Sequence, residues 1–230
     1  MMPTAWGLLA ATGCVASVSW LERHRQGMSL SENEFWAAIW SLVAGGIIGA
    51  KALFVLLGWE HYARGEMHFW EDFGTGFVFF GGLAGALVAG VLFARVRRLP
   101  FARGADHFAV AVPLGHAIGR VGCFIEGCCG GIAGHPVQLY EATGLLGIAW
   151  LGSRALARVQ QGDAVDGTAF RLYLASYALL RFLLDPLRAD GRPERYLDLS
   201  YPQYIALAVV LVALLWQGHA RREAISGSGG

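Results

Sequence analysis

The chain has 230 residues, of which 55% are hydrophobic and only 15% charged, with a mean hydropathy of +0.46. Soluble domains carry about a quarter charged residues, so the deficit assigns the chain to a membrane. The net charge of +1 offers no electrostatic hold on nucleic acid, and no phosphate-binding loop signature suggests a nucleotide. No cofactor and no metal is expected from the composition.

Windows of about twenty apolar residues match a hydrocarbon core of ~30 Å. In chain order they fall at 3–21, 35–58, 75–95, 105–125, 137–157, 168–185 and 202–218. The predicted fold is therefore all-α: a polytopic protein with seven transmembrane helices in one domain over 1–225, followed by a flexible tail at 226–230. The first window lacks a basic leader and a small-residue cleavage site, so it reads as a retained span. The 32 glycines suit close helix packing in lipid.

Basic residues set the orientation. Arg23, Arg25, Arg95, Arg97, Arg98, Arg103, Arg154, Arg158, Arg221 and Arg222 fall on one side, against Arg64, Arg188, Arg192 and Arg195 on the other. The positive-inside rule then predicts an external N-terminus and a cytoplasmic C-terminus. The outer segments also hold Glu60, Glu66, Glu71, Asp72, Asp185, Asp190, Glu194 and Asp198.

Under that topology the segment from Gly119 to Glu141 lies at the outer end of the fourth span and the start of the fifth. It contains Arg120, Cys123, Glu126, Cys128, Cys129, His135, Gln138, Tyr140 and Glu141. Charges retained in a membrane mark substrate, ion or partner sites. Arg120, and Arg181 near the outer end of the sixth span, offer planar donor forks suited to phosphate, or alternatively pair with Glu126, Glu141 or Asp185. Gly119 and Gly122 allow a ligand close to the backbone or a break in the helix. Pro136 suits a first helical position, and Gln138 and Glu141 share one helix face. His116, one turn before Arg120, is either a proton acceptor or a packing residue. Lys51 touches phosphate or snorkels to the headgroups.

The cysteines admit several readings. Two of Cys123, Cys128 and Cys129 form a disulfide, the set binds a soft metal with His116 or His135, or one is a nucleophile activated by Arg120. Small buried hydrophobes are the plain alternative, and the spacing is not a standard zinc pattern.

Several short motifs, in order along nearly the whole chain, resemble the prolipoprotein diacylglyceryl transferase family. They are Gly45-Gly46-Ile47-Ile48-Gly49-Ala50-Lys51, the run Gly76 to Gly85 with Gly81 and Gly82, and Asp106 with Pro113-Leu114-Gly115-His116-Ala117-Ile118-Gly119-Arg120. His135 to Glu141 and Leu180 to Arg188 complete the set. The resemblance implies a bacterial inner-membrane enzyme working near the outer leaflet. It would move a diacylglyceryl group from phosphatidylglycerol to a prolipoprotein cysteine, or another thiol acceptor, and release glycerol phosphate. Arg120 and Arg181 would hold the phosphate, with Asp185 in the acidic position. Lys51, Gly81, Gly82, Gly119, Gly122, Glu126, His135, Gln138, Tyr140, Glu141, Asp185 and Arg188 would line the substrate site.

The chain departs from the family pattern where the family's third-span histidine is Phe80, an asparagine is Cys123 and an acidic residue is Cys128. His116 would then supply the missing base, or a thiol at Cys123 or Cys128 would carry the transferred group. Competing expectations are a non-catalytic or repurposed lipid- or metal-binding protein on the same scaffold, and a membrane thiol oxidoreductase using the cysteines.

Overall fold

The computed structural model describes residues 4–67, 76–189, 195–196, 199–200, 203–211 and 213. Glu71, Asp72, Asp190, Arg192, Glu194, Asp198, Arg221, Arg222, the tail at 226–230 and the second half of the last window lie outside the described residues.

The described chain is helical, apart from a two-residue antiparallel pair, β1 (Arg195–Tyr196) with β2 (Leu199–Ser200). Each predicted window overlaps a helix among the described residues. These are α1 (Ala5–Arg23), α2 (Glu32–Leu57), α4 (Phe79–Arg97), α5 (Phe101–Ile125), α6 (Val137–Gln160), α7 (Thr168–Leu184) and a helical stretch over 203–211. A five-residue helix, α3 (Trp59–Ala63), was not expected from the sequence. Among the described residues, three segments are long and apolar enough to cross a bilayer: Glu32–Leu57, Phe80–Arg97 and Phe101–Ile125.

The chain divides into two units, and each is built differently. One unit, Ser29–Phe101, is a helical hairpin of α2 and α4. Ser31 caps α2 in a reciprocal box: its backbone N–H donates to Glu34 Oε2 at 3.0 Å, while Glu34 N donates to Ser31 Oγ at 3.4 Å. Arg97, at the end of α4, pairs with the same Glu34 carboxylate. Between these ends the two helices meet glycine to glycine. A Cβ on Gly45 would stand 2.6 Å from the Gly85 carbonyl oxygen and 2.5 Å from Ala89 Cβ. Gly49 and Gly81 face each other with even less room. Backbones come this close only without side chains, the usual device for helix association in lipid. Large apolar residues of α2 such as Trp40, Ile48, Leu56 and Leu57 remain exposed, which fits a surface facing hydrocarbon.

The other unit comprises the described residues up to Met28 and from Ala102 onward. Its central helix is α5. Pro113 has no N–H for the Ala109 carbonyl, and Gly152 of α6 packs there instead, with a hypothetical Cβ 2.8 Å from that oxygen. On the opposite neighbour, Ser17 of α1 donates to the Ala111 carbonyl at 2.7 Å, and Gly13 packs on Gly115. A core of Ala109, Val110, Ala155, Leu156 and Ala169 joins α5, α6 and α7. A second apolar cluster, Ala117, Ala142 and Leu145 with Tyr177 and Leu180, lies closer to the other end.

Buried Asp106 fixes α7 from a distance. Its carboxylate accepts from Gly167 N at 2.6 Å and Phe170 N at 2.9 Å, satisfying N–H groups that a helix start leaves without partners. Glu126 does the same for α1, accepting from Trp6 N at 3.3 Å.

Candidate functional site

The polar centre of this second unit forms around Glu141, whose side chain is fully buried near the start of α6. Arg120, four turns along α5 from Asp106, donates from Nη2 to Glu141 Oε1 at 3.1 Å. Arg188, just beyond α7, reaches the other oxygen, Oε2, at 3.4 Å. The Tyr177 hydroxyl donates to Oε1 at 3.5 Å, and His116 Nε2 lies 3.8 Å from the same atom. The His116 ring meets Tyr177 edge-on, with centroids 5.6 Å apart. One carboxylate thus gathers two guanidiniums, a phenol and an imidazole.

Arg181 lies one turn beyond Tyr177 on α7, and its Nη2 stands 3.9 Å from Asp185 Oδ1. Of the two arginines singled out in the sequence, Arg120 pairs with Glu141 and Arg181 with Asp185. Asp185 is itself buried and accepts a short hydrogen bond from Ser200 Oγ, while Ser200 N donates to Gln203 Oε1 at 3.0 Å. That chain of contacts ties the end of α7 to the start of the 203–211 helix.

Backbone pairing sets Arg188 in place. Gly131 and Arg188 form an isolated antiparallel bridge, and Ala189 N donates to Gly130 O at 3.0 Å. Gly131 also donates to His135 O at 3.0 Å; a Cβ there would stand 2.6 Å from that oxygen and 2.8 Å from Leu187 O. The loop after α5 and the residues after α7 thus interlock where only glycine fits. Gln138 extends the same seam, its Nε2 donating to the Cys128 carbonyl at 2.7 Å. His135 and Tyr140 contact each other, Nδ1 to hydroxyl at 3.4 Å, on the exposed side of the loop.

Other sequence candidates take different places. Gly119 has open space where a Cβ would be, but Gly122 packs on α1, with Leu9 Cβ 3.1 Å and Trp6 Cα 3.2 Å from that position. Glu126 caps α1 rather than meeting either arginine. In the α2–α4 unit, Gly81 packs against Gly49, and Gly82 lies over Gly46 and Ala50. Lys51 is buried there, with Nζ 5.2 Å from the Phe54 ring centroid and 5.7 Å from that of Phe77. Tyr177 was missed in the sequence, although it stands four residues before Arg181 and so shares its face of α7.

Residues 3–217 match the prolipoprotein diacylglyceryl transferase family. The chain belongs to this family. Among its relatives, the phosphatidylglycerol–prolipoprotein diacylglyceryl transferase of Geobacter sulfurreducens is 30% identical, with 91% of this chain and 87% of the relative covered. That of Bacillus cytotoxicus is 26% identical over 93% of this chain and 87% of its own. The Clostridioides difficile protein of the same name is 25% identical over 81% and 79%.

The chain also carries three thiols at the end of α5 and in the loop after it. Cys123 is buried, Cys128 half-buried and Cys129 exposed, and all are free. Burial, with hydrogen bonds involving Cys129 and Cys123, pushes the Cys128 thiol up to about 11.

Proposed function

We propose that this chain transfers a diacylglyceryl group from phosphatidylglycerol, or a closely related anionic phospholipid, to the thiol of a prolipoprotein cysteine. Family membership and the names of its relatives support the reaction class. The structural observation that carries the reading is the convergence of Arg120 and Arg188 on opposite oxygens of buried Glu141. A buried carboxylate repels a phosphate, so Glu141 is the anchor that aims the guanidiniums, not a substrate contact. Arg120 keeps a buried Nε donor with no hydrogen-bond partner among the described residues, available to a phosphate oxygen.

In this reading Arg120, Arg181 and Arg188 hold the headgroup phosphate, and Asp185 positions Arg181. The acceptor sulfur attacks the terminal glyceryl carbon. The carbon–oxygen bond to phosphate breaks, and glycerol phosphate leaves with the bonding electrons, its charge stabilised by the arginines. His116 takes the thiol proton, with Glu141 beside the imidazolium that forms. Gln138, His135 and Tyr140 shape the loop over the site. Seven spans in one domain, with an external N-terminus and the site near the outer leaflet, belong to the same proposal. The helix in each predicted window and the uneven distribution of arginines support it.

The test is to incubate purified protein with phosphatidylglycerol and a lipobox peptide, then follow diacylglyceryl-modified thiol and free glycerol phosphate by mass spectrometry. Arg120→Ala and Arg181→Ala should each abolish product. Undiminished product from both would overturn the assignment. Reporter fusions within 161–167, a loop assigned to the cytoplasm, test the orientation.

A further inference from the structure

Cys123, Cys128 and Cys129 bring three Sγ atoms within 4.8 Å of one another. The backbone after α5 builds this convergence. Gly127 adopts φ +73°, Cys128 N turns back to donate to Cys123 O at 3.1 Å, and Cys129 adopts φ +58°. The left-handed region is uncommon for a residue with a Cβ, and here it closes the turn that gathers the thiols. The turn is pinned from both sides, by Gln138 on the Cys128 carbonyl and by Ala189 on the Gly130 carbonyl. The sequence spacing alone matches no standard zinc pattern, but the folded turn supplies what the spacing lacks.

We propose that Cys123, Cys128 and Cys129 form a three-thiolate site for one thiophilic d10 cation of the zinc class. Sulfurs bound to such an ion at ~2.3 Å stand about 3.8 Å apart, so small side-chain rotations bring the observed cluster into ligation. Each S–H bond is replaced by a sulfur–metal bond and each proton passes to solvent; no oxidant is required. A disulfide, by contrast, needs an electron acceptor. Three thiolates and a divalent ion leave one net negative charge, and Arg120, about one helical turn before Cys123, brings a guanidinium to the same end of α5. The fourth coordination position stays open to water or to an incoming thiolate.

The experiment uses the full chain, reduced and in detergent. Cadmium is added while sulfur-to-metal charge-transfer absorption is followed in the ultraviolet. The absorption should saturate at one equivalent, and cadmium added to zinc-loaded protein should displace the zinc. Cys14→Ser should leave the titration unchanged, whereas Cys123→Ser, Cys128→Ser and Cys129→Ser should each weaken binding by more than about tenfold. A second measurement needs no variant: bound zinc should protect Cys123, Cys128 and Cys129 of the native protein from alkylation, as located by peptide mass spectrometry. Absence of the absorption, an equal loss in Cys14→Ser, or protection elsewhere would overturn the site. A disulfide between two of the three in freshly isolated membranes would do the same. None of these readouts depends on transfer activity.

Discussion

Arg120 Nη2 and Glu141 Oε1 stand 3.1 Å apart and join α5 to α6 at a point where the carboxylate is fully buried. With Arg188 on its other oxygen, Glu141 balances two cations that have little access to water. Glu141→Ala should therefore cost about 3–5 kcal/mol of stability, the usual penalty for stranding buried charge, and eliminate transfer. Glu141→Gln keeps the shape and one acceptor oxygen, so it should unfold at a temperature between those of native and Glu141→Ala. Thermal unfolding in detergent checks the order; an unchanged midpoint in Glu141→Ala would reject the anchor role.

His116 is less enclosed than Glu141, its side chain remaining 31% exposed. His116→Ala should therefore lower transfer by about 10²–10⁴-fold, the range of a lost general base, while the unfolding midpoint moves little. Tyr177→Phe removes only a long hydrogen bond to Glu141 and should cost roughly 1 kcal/mol or less. Full activity in His116→Ala would transfer the base role to another group.

Asp106 acts on α7 through the backbone N–H groups of Gly167 and Phe170. Asp106→Ala should destabilise the protein by about 2–4 kcal/mol, from two charge-assisted hydrogen bonds partly offset by relief of burial. Amide hydrogen exchange should rise first at residues 167–170. Exchange spread evenly over the chain would contradict the capping role.

The α2–α4 contact offers an internal control. Gly45→Ala places a methyl group against Gly85 and Ala89 and should cost about 1–3 kcal/mol. Gly46→Ala meets only ordinary contacts, at 3.7 Å and 4.0 Å, and should be near neutral or slightly stabilising. Equal unfolding midpoints for the two variants would refute the packing argument.

Helix positions were legible because each window is long and mostly apolar, a signal that depends only on local composition. Arg120, Arg181, His116 and Glu141 were legible because charge in such windows is rare. The roles of glycines were not. Gly81, Gly82 and Gly122 look like a ligand's approach in the sequence, yet each packs against helix or backbone, which no local pattern reveals. Asp106 was seen only as part of a motif, because its partners lie 61 and 64 residues further on. The thiol cluster was ambiguous for a related reason: its geometry depends on a left-handed Cys129 that spacing cannot show.

The Trp6 amide waits for the Glu126 carboxylate across 120 residues of chain. At typical synthesis rates that interval is on the order of ten seconds, during which the α2–α4 hairpin emerges with its own internal partners. The first helix therefore gains this distant cap only after α5 follows. A pause or a truncation before residue 126 leaves that opening turn without its distant acceptor.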